Sequence, residues 1–112
     1  MRESTIEAHL VKRVKELGGE CRKVTWPGRR GAPDRLVMLP PVHHPRWDGT
    51  LVPAALAWAE AWTKPAATIW VELKAPGLKA EPHQLREHKR MQAMGQRVVV
   101  VDSIEGVEAL LA

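Results

Sequence analysis

Thr68-Ile69-Trp70-Val71-Glu72-Leu73-Lys74 is an apolar run into which one acid and one lysine are set. β-Branched and aromatic residues fit a pleated, half-buried surface, so the run predicts a strand over 68–74. Side chains alternate along a strand, and Glu72 and Lys74 therefore project from the same face. A carboxylate and an ammonium on a covered strand must pair or bind something, because taking either out of water alone is costly. The competing reading is an exposed ion pair on an edge strand, which contributes roughly 0–1 kcal/mol. The neighbours Ile69 and Val71 favour the covered strand.

Downstream, APGLKAEP (75–82) is a loop, and HQLREHKRMQAMG (83–95) is a helix closed by Gly95. QRVVVVD (96–102) carries four consecutive valines, the pattern of a strand buried on both faces in the middle of a sheet. A helix then runs to about Leu111, capped by Asp102 or Ser103, with Asp102 and Glu105 at capping-box spacing. Upstream, Ile6, Leu10, Val14 and Leu17 recur on one helical face, which predicts a helix over 4–17. Ser4 and Glu7 have capping-box spacing, and Gly18-Gly19 ends the pattern. ECRKVT (20–25) reads as a short strand, WPGRRGAP (26–33) as a loop, and DRLVML (34–39) as a second strand. The proline-rich stretch 40–66, with a possible short helix in AALAWAEAW (54–62), is an excursion between two strands of one sheet.

The element order is αβββαβ plus a C-terminal helix. The first three strands can form an antiparallel meander. The last, reached through a helix, should pair parallel by a right-handed crossover. The fold class is α/β, a mixed central sheet flanked by helices, expected to form one domain over 1–112. At 112 residues and 45% hydrophobic content the chain is too short for two ordinary domains and too apolar for a disordered tail. The net charge of +4 favours polyanion partners, though mildly. A single cysteine, Cys21, excludes an internal disulfide framework and a cysteine zinc cluster, and it is expected to be a small buried hydrophobe. The sequence has neither a long apolar run nor the apolar core of a signal peptide, so a cytoplasmic protein without a membrane partner is expected.

Asp34 opens the second strand after Gly31-Ala32-Pro33. Asp34 and Glu72 can offer two carboxylates from neighbouring strand ends, and the main-chain carbonyl of Leu73 can add a third oxygen. Mg²⁺ typically takes one or two carboxylates and completes its octahedron with waters and substrate phosphate. Lys74 would then lie where it can orient the attacking water, while the metal lowers the pKa of that water and neutralises the scissile phosphate.

Pro33-Asp34 followed by Glu72-x-Lys74 resembles the PD-(D/E)XK nuclease signature. Gly31-x-Pro33-Asp34, Glu72-x-Lys74, Gln84 at the start of the next helix, and Gly95 before a valine-rich strand and Asp102-Ser103 together resemble the VRR-NUC domain, the virus-type replication-repair nuclease domain. An acid in the first helix, here Glu7, matches that family too. The resemblance spans about residues 4–104 and departs from the smallest members in the longer 40–66 segment, read as an insertion. It implies a restriction-endonuclease-like core and a Mg²⁺-dependent nuclease, with Mn²⁺ the alternative metal. Small phage members look like structure-specific endonucleases that cut branched DNA such as Holliday junctions as homodimers. This implies a phage or prophage protein acting in the bacterial host cytoplasm.

Glu7 is a candidate direct or water-mediated metal ligand, in competition with its capping role. Gln84 can hydrogen-bond a metal water or a phosphate, in competition with a solvated surface position. Arg29, Arg30 and Arg35 flank Asp34, and Arg86, Lys89 and Arg90 share one helix face. These six and Lys79 are candidate phosphate contacts, which add affinity without reading sequence. Each has a solvated basic face as its alternative. Trp26 and Trp47 can stack on unpaired bases, while Trp58, Trp62 and Trp70 are expected in the core or at a subunit interface. His43, His44 and Asp48 are not expected to hold zinc. A homodimer is expected because the domain is small and a two-fold pair of sites suits a four-way junction. Two rival functions stay open: a non-catalytic DNA-binding protein on a nuclease fold, and a sequence-specific nicking or restriction-like endonuclease.

Overall fold

The structure, a computed structural model, describes residues 1–42 and 64–112. Its elements are α1 (Glu3–Glu16), β1 (Glu20–Lys23), β2 (Arg35–Leu39), β3 (Ala67–Leu73), α2 (Pro82–Ala93), β4 (Val98–Val101) and α3 (Ile104–Leu111). They follow the order read from the sequence, and they form a restriction-endonuclease-like α/β fold.

The strands lie in the order β1-β2-β3-β4. β1, β2 and β3 form an antiparallel meander, and β4 joins β3 in parallel after α2. Strand alternation gives the sheet two different faces. On one face Val37, Ile69, Val71, Leu73 and Val101 meet Ile6, Leu10 and Val14 of α1 and Val107, Leu110 and Leu111 of α3. α1 and α3 are also joined at their rim, where Glu108 accepts from Arg13 Nε at 3.0 Å and sits 2.8 Å from His9 Nε2. The other face carries Trp70, Glu72 and Val98, and α2 packs on it through Met91, which is buried outside that core together with Val98.

Three local expectations are corrected. The valine run is an edge strand among the described residues, not a central one. Val98 and Val101 are buried by helices on opposite faces, and Val100 is 38% exposed. α1 begins one residue early, with Arg2 at its N-cap and no side-chain cap, so the expected Ser4–Glu7 capping box does not form. Leu17, expected on the apolar stripe, is 37% exposed. Of the two cap candidates for α3, Ser103 takes the role, its hydroxyl accepting from Gly106 N–H at 2.9 Å.

Most of the 40–66 excursion, with Trp47, Trp58, Trp62, His43, His44 and Asp48, lies outside the described residues. Its neck does not. Val42 and Lys64 exchange both backbone hydrogen bonds at 2.7 Å, continuing the β2–β3 register beyond Leu39 and Ala67. Lys64 Nζ then donates to the carbonyl of Leu111 at 3.1 Å. It thereby places a cation at the C-terminus of α3, where the helix dipole favours one.

Candidate active site

Pro33 is fully buried, and its carbonyl accepts from the Trp26 indole at 2.8 Å. The next residue, Asp34, stands at the threshold of β2. Val24 N–H donates to its carbonyl at 2.8 Å, extending the β1–β2 ladder by one step. Arg35 pairs with Val71 across β2 and β3, so one further step sets Asp34 opposite Glu72. Directly opposed residues on an antiparallel pair share a face, with Cβ atoms about 4.5–5.5 Å apart. Lys74 follows on that face by alternation, its backbone N–H held by the Val101 carbonyl at 2.9 Å. The structure therefore gathers Asp34, Glu72 and Lys74 at one end of the sheet.

Glu72 is 8% exposed. Burial pushes its carboxyl up to about 7; Lys74 pulls it back, and the acids Asp34 and Glu3 push it further up. Among the described residues no ion pair within 4 Å is found for it. A covered carboxylate with two acids and one lysine in its field suits a cation: it is short of positive charge and already desolvated. Among the described residues no group of three His, Cys, Asp or Glu side chains forms a ready cage. Two carboxylates and a carbonyl suffice for Mg²⁺, which keeps several waters.

Glu3 was not foreseen. It lies in the first turn of α1, one turn before Glu7 on the same helix side. That i, i+4 spacing of acids was the available signal. Glu7 is engaged elsewhere, accepting from Arg35 Nη2 at 2.7 Å. Arg35 was expected among the phosphate contacts, but its side chain is only 14% exposed. It points to the α1 side because it shares a face with Val71, and it serves to hold Glu7.

Gln84 sits in the first turn of α2, where its side-chain carbonyl accepts from Glu81 N–H at 2.8 Å. That leaves its amide N–H groups as donors. Arg30, Lys79, Arg86 and Lys89 are exposed. Arg29 and Arg90 both reach Glu87. Trp26, a candidate for base stacking, packs against Trp70, with ring centroids 5.1 Å apart and planes at 53°. Trp70 is half-buried, its indole donating to Gln96 at 3.2 Å. Cys21 is half-buried against the core.

Comparison with known proteins finds a sequence relative and a structural one. No family model matches the chain. A curated protein called "Putative nuclease p44", of Acyrthosiphon pisum secondary endosymbiont phage 1, is 44% identical over 103 residues, covering 92% of this chain and 85% of that one. A solved structure described as a VRR_NUC domain superposes with a TM-score of 0.68 at 34% identity, covering 97% of this chain and 92% of the other.

Proposed function

Since the chain belongs to the VRR-NUC family of nucleases, we propose that it is a Mg²⁺-dependent DNA endonuclease acting on branched DNA such as Holliday junctions. The observation that carries this reading is the buried, cation-seeking Glu72, set opposite Asp34 and beside Lys74 on one face of β3.

Asp34, Glu72 and the Leu73 carbonyl would hold Mg²⁺ or Mn²⁺. When bound, the cation supplies the positive charge that eases loss of a water proton and offsets charge gathering on the phosphate. The remaining work belongs to the chain. Lys74 orients the attacking water for in-line displacement. Gln84 offers its amide N–H groups to a phosphate oxygen. Glu7, fixed by Arg35, fixes the start of α1 beside the site, and Glu3 adds negative potential. Arg29, Arg30, Lys79, Arg86, Lys89 and Arg90 grip the backbone without reading bases.

Residues 1–112 act as one domain, with 40–66 inserted between β2 and β3. A homodimer would present two sites related by a two-fold axis, an arrangement that suits a four-way junction. The phage relative supports action in a bacterial cytoplasm. Among the described residues no helix is long and apolar enough to cross a membrane.

The test is a panel of labelled linear, flapped and four-way DNA, incubated with and without Mg²⁺. Cleavage of the four-way substrate only with Mg²⁺, in preference to the linear duplex, is expected. Equal cutting of all substrates, or preference for a short duplex sequence, would overturn the branched-DNA reading. Cutting in EDTA would overturn the metal dependence.

A further inference from the structure

We propose that Arg29, Glu87 and Arg90 form one built phosphate clamp, in which the buried carboxylate of Glu87 aims two arginines at a single backbone phosphate of the bound DNA. This rests on the nuclease reading and deepens it.

Glu87 lies on α2 with its side chain 4% exposed. Its Oε1 accepts from Arg90 Nε at 2.8 Å and from Arg29 Nη1 at 3.4 Å. Both guanidiniums thus converge on one oxygen atom, although they come from different elements, the loop before Asp34 and the third turn of α2, with Arg29 58 positions from Glu87. The two arginines remain 54% and 55% exposed. One carboxylate cannot neutralise two guanidiniums, so the cluster keeps a surplus positive charge. Each arginine has five N–H donors in a fixed fork and spends only part of it on Glu87. Two such forks over a shared anchor can meet the oxygens of a phosphate.

The loop is docked to α2 at a second point, which keeps the clamp from being a chance meeting of side chains. Gly31 stands so close to the first turn of α2 that a Cβ there would lie 2.8 Å from the His83 carbonyl and 3.1 Å from Gln84 Cα. Asp34 is three residues further on. A phosphate held by Arg29 and Arg90 is therefore bound to the same loop that carries a catalytic acid. Glu87 touches no substrate atom in this arrangement; it is a positioning residue.

The charge of Glu87 makes the proposal separable from mere electrostatics. Glu87→Gln raises the net charge by one, so a diffuse basic patch predicts tighter DNA binding. The clamp predicts the opposite. Binding of a labelled four-way junction would be measured in EDTA across a salt series for wild type, Glu87→Gln, Arg29→Ala and Arg90→Ala. Expected is a three- to tenfold loss for Glu87→Gln on the order of one lost phosphate contact, with the log–log salt slope flattened by about 0.9. Glu87→Gln binding as tightly as wild type or tighter, with an unchanged slope, would overturn the clamp.

If Glu87→Gln fails to fold, the two exposed arginines decide. Arg29→Ala with Arg90→Ala should lose little more than either alone, because both hold one phosphate; additive losses would overturn the clamp. Wild-type cleavage in Mg²⁺ is run alongside. Cutting by wild type together with an indifferent Glu87→Gln removes the clamp alone. No cutting removes the nuclease reading, while the binding series still decides the clamp.

Discussion

Glu72 is where burial and charge oppose each other most openly. Its folded carboxyl titrates near 7 against an ordinary value of 4.5. A raised carboxyl pKa means that the folded state binds the proton more tightly than the unfolded chain. The metal-free protein should therefore be most favoured, as far as this group counts, below pH 4.5, and lose stability as pH rises from 4.5 towards 7, at up to about 1.4 kcal/mol per pH unit. Thermal melts of wild type and Glu72→Gln in EDTA would check this. The glutamine variant should lack that fall and be the more stable above pH 7. A divalent cation needs the charged form, so Mg²⁺ should raise the wild-type melting temperature more at pH 8 than at pH 5 and leave Glu72→Gln unmoved. Gly31 makes a second prediction at this scale. With φ at +85° and a would-be Cβ at 2.8 Å from a backbone oxygen, Gly31→Ala should cost on the order of 1–3 kcal/mol and displace Asp34, lowering cleavage more than DNA binding.

Among the elements, α3 is held at one end by Ser103 of its own sequence and at the other by Lys64 from across the fold. Ser103→Ala removes the acceptor for Gly106 N–H and should cost about 1 kcal/mol, read as a fall in melting temperature with cleavage at low temperature unchanged. The elements themselves were legible because their periodicities are local: the i, i+4 apolar face of α1 and the alternation of β3 each report which side is covered. The valine run of β4 misled for a physical reason. Apolar residues record that helices cover both faces of a strand, and say nothing of whether another strand lies beyond it. The N-terminal cap misled similarly. With α1 starting at Glu3 rather than after Ser4, Glu7 leaves the capping position and becomes the partner of Arg35, and Glu3 enters the field of Glu72.

For the whole molecule, the sheet brings together residues that the chain keeps apart. Asp34, Glu72 and Lys74 were legible because each breaks a local rule, an acid at a strand threshold and charges within an apolar strand. Arg29–Glu87–Arg90 was not, since its central acid looks like any helical glutamate until α2 has docked against the loop. Arg35 likewise looks like its neighbours Arg29 and Arg30 until the register turns it to the α1 side. The fold and the central trio thus follow from pattern, while the supporting contacts depend on tertiary docking.

The most direct measurement is cleavage of a labelled four-way junction in Mg²⁺ by wild type, Asp34→Ala and Lys74→Ala, with junction binding and thermal melting recorded for each. Wild type should cut, and both variants should lose at least about 10²-fold in rate while remaining folded and keeping most of their binding. Full cleavage by either folded variant would contradict a catalytic centre built on Asp34, Glu72 and Lys74.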